Sequence, residues 1–303
     1  MYERILIPLD GSSTAEMVLP FAEELAAKLG SQVILVGVSD SAPADTEQLY
    51  QTYLKHIKEQ VQRELKEDWK TEKKVQVQSK ILMGKAAAEI IRYAAVAHAG
   101  LIAMSSRGAS SRGPRLLGNI ADKVLRTTDK PVLLIRAPAS KAALKEKRLI
   151  KRILVPLDGS EVGESAVPDA VALSQALGAE LVFFHVVELV PVVASVGDIG
   201  PYVPIVVEDQ GRAKDNALAY LESVTRSAKT KGLNIFSTVV DYGPPAECIV
   251  NYAKDNAIDL IAISTHGRTG IGRWVFGSVT DKVLHAGDTA VLVVRASKAA
   301  IRE

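Results

Sequence analysis

The chain has 303 residues, 48% of them hydrophobic and 24% charged, with a formal net charge of +2. That length and balance suit about two globular domains with cores of ordinary size. Aromatics make up only 5%, too few for a platform that stacks single-stranded nucleic acid. No DNA-recognition motif is present, so no nucleic-acid partner is expected.

The single cysteine, Cys248, excludes an internal disulfide and suits a reducing cytoplasm. Its helical neighbours mark it as a small core residue rather than a nucleophile. No signal peptide precedes the first strand, and no apolar run approaches the roughly 18 residues that span a bilayer. A cytoplasmic protein with no membrane contact is expected. Charge is unevenly shared: residues 1–152 carry 25 Lys and Arg against 17 Asp and Glu, a net of +8, and residues 153–303 carry 12 against 18, a net of −6. Surface drift explains this, and so does attraction between the halves or between copies.

Arg4–Leu9 reads as a strand. Ser13 and Glu16 form a capping box, opening a helix through Val18, Phe21, Ala22, Leu25 and Leu29 that stops near Gly30. Val33–Val38 is the second strand. Leu49, Tyr53, Ile57, Val61 and Leu65 recur every fourth residue and predict an amphipathic helix. Val75–Ile81 alternates as a strand, Ala86–Ala97 is helical, and Leu101–Met104 is a buried strand. A helix begins over Ile120–Leu125, and Val132–Ile135 is the last strand of this half.

Pro138–Lys151 is small and basic, as suits a linker. The pattern then starts again. Ile5-Leu6-Ile7-Pro8-Leu9-Asp10-Gly11-Ser12 returns as Ile153-Leu154-Val155-Pro156-Leu157-Asp158-Gly159-Ser160 at an offset of 148, and Gly118 returns as Gly277 at an offset of 159. Strands follow near 152–157, 181–187, 235–240, 260–263 and 291–294. The expected domains are 1–138 and 152–303, with 139–151 between them. The second copy has 11 more residues between these landmarks, placed around Glu188–Val207. That segment reads as a long loop over the domain, as a lid, or as an oligomer contact.

Alternating strands and helices imply an α/β protein with a parallel sheet in each copy and helices on both faces. In such sheets ligands lie outside the carboxyl ends of the strands. Three features converge there in each copy. Asp10-Gly11-Ser12 and Asp158-Gly159-Ser160 follow the first strand, Val38 and Val186 close the second, and a glycine-bearing loop follows the fourth. In the second copy that loop runs Ser264-Thr265-His266-Gly267-Arg268-Thr269-Gly270 to Gly277-Ser278-Val279-Thr280-Asp281. A glycine loop opening a helix offers backbone N–H groups and a positive dipole end to phosphate. Turn chemistry alone also accounts for Asp10, Asp158, Gly267 and Gly277. Ser278 with Asp281 resembles a second capping box.

These motifs resemble the universal stress proteins in a tandem form. The resemblance rests on Pro-Leu-Asp-Gly-Ser after strand one, Gly-Pro-Pro-Ala-Glu at 243–247, Ser-Thr-His-Gly-Arg-Thr-Gly at 264–270, and the closing strand Ala290–Arg295. It implies two Rossmann-like domains, each a five-stranded parallel sheet of order 3-2-1-4-5. It also implies pairing through the last strand, a pseudo-dimer of the two domains, and homo-oligomers.

The ligand implied is ATP, or ADP or AMP, with Mg as the accompanying ion. The family motif is Gly, two residues, Gly, nine residues, Gly, then Ser or Thr. In the second copy Ser264 stands for the first glycine and Gly267, Gly277 and Ser278 complete the motif. The preferred site is therefore in domain 2. Pro156, Leu157 and Asp158 would hold ribose and Val186 would face adenine. Ser264, His266, Gly267 and Arg268, with Gly277, Ser278, Val279 and Thr280, would meet the phosphates. In domain 1 the set is Pro8, Leu9, Asp10 and Val38, with Ser105, Arg107, Gly108, Gly118, Asn119 and Ile120. There both the first glycine and the final hydroxyl are lost, and Pro114 removes a loop N–H.

No metal site is read, since His266 lacks ligand spacing to His185 or His285, and no catalytic residue is assigned. The leading function is adenine-nucleotide binding in stress signalling, with occupancy biasing assembly or partner binding. The alternatives are a nucleotide-free scaffold and, below it, a slow ATPase or phosphotransferase.

Overall fold

Each half builds a parallel sheet from short, β-branched, apolar strands, and the two sheets join edge to edge. The computed structural model describes residues 1–40, 44–69, 75–108, 117–136, 148–188, 192–194, 203–205, 210–230, 236–265 and 276–296. Domain 1 contains β1 (Arg4–Pro8), α1 (Leu19–Leu29), β2 (Gln32–Ser39), α2 (Ala44–Glu67), β3 (Val77–Met83), α3 (Ala86–Val96), β4 (Leu101–Ser105), α4 (Asn119–Thr127) and β5 (Val132–Ile135). Domain 2 contains β6 (Arg152–Leu157), α5 (Val167–Leu177), β7 (Glu180–Val187), β8 (Val192–Ala194), β9 (Val203–Ile205), α6 (Gln210–Thr230), β10 (Phe236–Tyr242), α7 (Pro245–Asp255), β11 (Leu260–Ser264), α8 (Ser278–Ala286) and β12 (Ala290–Val294).

The ten-stranded sheet runs β10-β7-β6-β11-β12-β5-β4-β1-β2-β3. In this sheet every pairing within a domain is parallel, in the order 3-2-1-4-5 expected from the sequence. The seam between domains is antiparallel, with Val291 opposite Leu134, Leu292 opposite Leu133 and Val293 opposite Val132. Joining the two last strands removes two edges that would otherwise present unpaired backbone groups. Alternate residues of every strand feed opposite faces. Ile5, Ile7, Leu133, Ile153, Val155 and Leu292 enter one core, while Leu6, Leu134, Leu154 and Val291 enter the other. Each core therefore runs continuously through both domains.

Local sequence signals hold in some elements and fail in others. Gly30 ends α1, and Gly178 ends α5, in the left-handed conformation at φ 71° and 65°, where glycine carries no Cβ penalty. The Ser13–Glu16 capping box does not form. A 3-10 turn over Ala15–Val18 precedes α1, and Ser12 Oγ accepts the Ala15 N–H at 3.1 Å. Glu16 instead accepts the Tyr53 hydroxyl at 3.0 Å. In α2, Leu49 is 71% exposed, whereas Leu54 joins Ile57, Val61 and Leu65 in the core. A strict four-residue step overshoots each turn by about 40°, so Leu49 has rotated off the stripe that Leu65 occupies.

The 188–207 segment is not only loop. β8 and β9 pair antiparallel, Val192 opposite Ile205 and Ala194 opposite Val203. The pair sits between the end of β7 and the start of α6, where domain 1 has only residues 40–43.

Candidate functional site

The carboxyl edge of domain 2 is organised around β6, flanked by β7 and β11. Leu157 is opposite His185, which brings Asp158 beside Val186. Asp158 Oδ1 accepts the Ser160 N–H at 3.0 Å and the Ser160 hydroxyl at 2.6 Å, and Ser160 Oγ accepts the Gly163 N–H at 2.9 Å. Domain 1 repeats the turn, with Asp10 Oδ1 taking Ser12 N–H and Oγ–H. One oxygen of each aspartate therefore builds the turn that starts the next helix. Pro8 and Pro156 are half-buried and Leu9 and Leu157 are buried, so these four offer the edge backbone rather than side chains. Val38 and Val186 are half-buried against the second core.

The loop after β11 is tied at its neck. Thr265 N–H donates to Val294 O at 3.0 Å, and Gly277 N–H donates to Thr265 O at 2.9 Å. Domain 1 has the same neck, Ser106 to Ile135 at 2.7 Å and Gly118 to Ser106 at 2.8 Å. Gly277 and Gly118 thus spend their own amides on closing the loop. They are also the N-caps of α8 and α4, with no side-chain capping bond. Ser278 and Asn119 sit one residue further on, inside the first turn, and neither caps its helix. The Ser278–Asp281 capping box is therefore absent, because a box needs its hydroxyl at the N-cap. Helix geometry leaves the amides of Ser278, Val279 and Thr280 without an intrahelical acceptor. That is an arrangement an anion can satisfy.

Two residues at this helix differ in character from their sequence-based roles. Thr280 is 4% exposed, and its hydroxyl donates to Ser264 O at 2.8 Å, pinning α8 to the tip of β11. Domain 1 has Ala121 in that place and cannot make the bond. Ser264 is 3% exposed and its hydroxyl has no hydrogen-bond partner. In domain 1 the matching Ser105 Oγ accepts the Arg107 N–H at 3.4 Å. Asn119 and Ile120 are exposed, Ile120 at 41%. A Cβ on Gly108 would collide with the Asp10 carboxylate, so these two residues do converge. His266, Gly267 and Arg268 lie outside the described residues, as do Arg112, Pro114, Arg115 and Arg273.

A ring of residues around the Asp-Gly-Ser turn was missed. Tyr53 donates to Glu16, and Tyr220 donates to Glu164, each at 3.0 Å. Burial first, and the neighbouring carboxylate second, push both phenols above the ordinary tyrosine range. Beside them the domains exchange a large residue for a small one. In domain 1 the Tyr50 ring lies on Gly37, with Cδ1 2.9 Å from where a Cβ would stand. In domain 2 the strand residue is His185, whose ring meets Tyr220 edge-on at 5.8 Å, and Ala217 replaces Tyr50. The matching tyrosines were hidden because the β8–β9 segment shifts the offset to 167 through this helix.

Together these features define a tandem, doubly wound α/β protein with an uncapped helix N-terminus at each switch point. A sequence model of the Universal stress protein family matches residues 1–136 and again residues 149–295. The chain belongs to the universal stress protein family. It is 33% identical over 150 residues to the universal stress protein YxiE of Bacillus subtilis, covering 48% of this chain and 100% of that one. It is 27% identical over 226 residues to a universal stress protein of Mycobacterium tuberculosis, covering 75% of this chain and 71% of that one. The solved universal stress protein from Archaeoglobus fulgidus superposes with a TM-score of 0.69 at 20% identity, covering 98% of this chain and 100% of that one. Among the described residues, no helix is long and apolar enough to cross a membrane.

Proposed function

We propose that domain 2 binds an adenine nucleotide, ATP, ADP or AMP, and that occupancy of this site biases assembly or partner binding. The observation that carries the reading is the pairing of a helix N-terminus that no side chain caps with a buried, unpartnered hydroxyl, Ser264 Oγ, at the end of the adjoining strand. A buried hydroxyl without a partner costs about 1–3 kcal/mol. A ligand oxygen or its bound water relieves that cost. Domain 1 supports the reading by contrast, since its Ser105 hydroxyl is satisfied internally. In this reading Asp158 takes ribose hydroxyls, Val186 lies against adenine, and the amides of Ser278, Val279 and Thr280 take phosphate.

The test is calorimetric titration of the full chain with ATP, with and without magnesium, repeated on Gly277→Asp. Aspartate is among the best N-cap residues, so the variant keeps its helix while placing a carboxylate where phosphate would sit. The expected result is an unchanged melting temperature and lost binding. Unchanged affinity would show that the loop is only a turn.

A further inference from the structure

The phosphate helix of domain 2, α8, is held at both ends by side chains of domain 1. At its C-terminus, Arg136, the residue after β5, donates to the carbonyls of Val283 at 3.1 Å, Leu284 and Gly287. A cation there meets the negative end of the helix dipole. Arg295, the matching residue after β12, reciprocates on α4 through the carbonyls of Leu125 and Arg126. This part of the seam is symmetric.

The N-terminal end is not. Arg126 of α4 bonds Asp122 in its own helix at 2.8 Å and crosses the seam to Asp281 of α8 at 3.0 Å. Its guanidinium also lies 4.9 Å from the ring centroid of Phe276, a buried residue directly before Gly277. The residue matching Arg126 in domain 2 is His285, and it turns back on its own helix, Nδ1 to Asp281 O at 2.7 Å. No described side chain of domain 2 makes the corresponding hold on the first turn of α4.

Asp281 places a carboxylate in the first turn of the helix that the proposed function offers to phosphate. Left alone, that charge competes with an incoming anion for the positive helix end and repels it. Arg126 offsets it and at the same time fixes Phe276 against the neck of the loop.

We propose that domain 1 acts as the holding subunit of the domain 2 site, with Arg126 as the positioning residue for its phosphate arm. The proposal rests on the nucleotide reading for its affinity consequences, but the grip itself is testable without any ligand. In the full chain, Arg126→Ala weakens ATP binding by about threefold to tenfold, the scale of one part-exposed ion pair plus one cation–ring contact. The Arg126→Ala/Asp281→Asn double variant recovers most of the loss, because the unpaired carboxylate is gone. Arg92→Ala, which removes an exposed pair with Glu89 inside α3, leaves affinity unchanged.

In parallel, hydrogen exchange of ligand-free protein is measured over 276–281 and read at the bonded amides of Gly277 and Asp281, where Arg126→Ala is expected to raise the exchange rate. Unchanged exchange over 276–281 would overturn the grip, whether or not the chain binds nucleotide. A loss of affinity that Asp281→Asn does not rescue would overturn the electrostatic role. Wild-type protein that binds no nucleotide would remove the functional reading while leaving the exchange result to decide the grip.

Discussion

The two carboxyl edges of this chain started from one plan and now differ in what their polar groups face. In domain 1 the hydroxyl of Ser105 is occupied by the Arg107 amide, and Ala121 leaves the start of α4 without a tie to β4. In domain 2 the hydroxyl of Ser264 is buried without a partner, and Thr280 locks α8 to the strand. The loop necks are alike, as are the Asp-Gly-Ser turns. Symmetry is therefore kept where residues build the fold and lost where they would meet a ligand.

The largest break in this comparison comes from matched N-cap variants. Gly277→Asp is expected to weaken ATP binding by about a hundredfold or more, through direct charge competition at the helix start. Gly118→Asp, the same change in domain 1, leaves affinity untouched. Equal losses in the two variants, measured by titration, would make the domains equivalent.

The seam comes next. Arg136→Ala removes a buried guanidinium that serves three carbonyls, and burial holds that group down at about 10. The loss of stability is about 3 kcal/mol by urea denaturation. Arg295→Ala costs less, about 1–2 kcal/mol, because its guanidinium serves two carbonyls rather than three. A neutral outcome for Arg136→Ala would mean that the strand ladder alone joins the domains.

A smaller effect tests the exchange of rings beside the turn. Gly37→His forces a side chain into Tyr50, and Tyr50→Ala leaves a gap, each costing about 1–3 kcal/mol. Made together they recreate the His185–Ala217 arrangement, so the double variant is expected to lose less than the two singles combined. Simple additivity would show that the two sites do not share one space.

The smallest effect is on pH dependence, and it centres on two neighbouring carboxyls of α1. Glu23 is 5% exposed, and burial, then Glu64 and Asp68, push its carboxyl from 4.5 up to about 9. The native state thus holds a proton that the unfolded chain releases near 4.5, so stability falls as pH rises through that interval. Burial likewise raises Glu24, to about 7, although it accepts the Leu149 and Ile150 amides at 3.1 and 3.2 Å. Its share of the slope ends near that pH. Glu23→Gln should therefore lessen the fall of melting temperature from about pH 4.5 to pH 9, with Glu24 still contributing a fall up to about pH 7. A slope equal to that of wild type would place the titration elsewhere.

Much of the architecture was legible from the chain because buried parallel strands are simple signals. Val132–Ile135 and Leu101–Met104 are unbroken apolar runs, and the repeat of Pro-Leu-Asp-Gly-Ser doubled every assignment. The capping boxes were misread because residue type says little about which residue is the N-cap. Ser278 is one position too late, and Ser13 is displaced by the 3-10 turn. Leu49 was taken as core because spacing by four drifts around a helix. The tyrosine–glutamate pairs and the arginines across the seam were not legible. Their partners lie dozens to more than a hundred residues away, and a change of offset conceals the match between copies.

Native mass spectrometry of the intact chain saturated with ATP counts directly whether one domain or both bind nucleotide. One adenine nucleotide per chain is predicted, absent from Gly277→Asp and retained by Gly118→Asp. Two nucleotides per chain, or a single one lost only from Gly118→Asp, would contradict it.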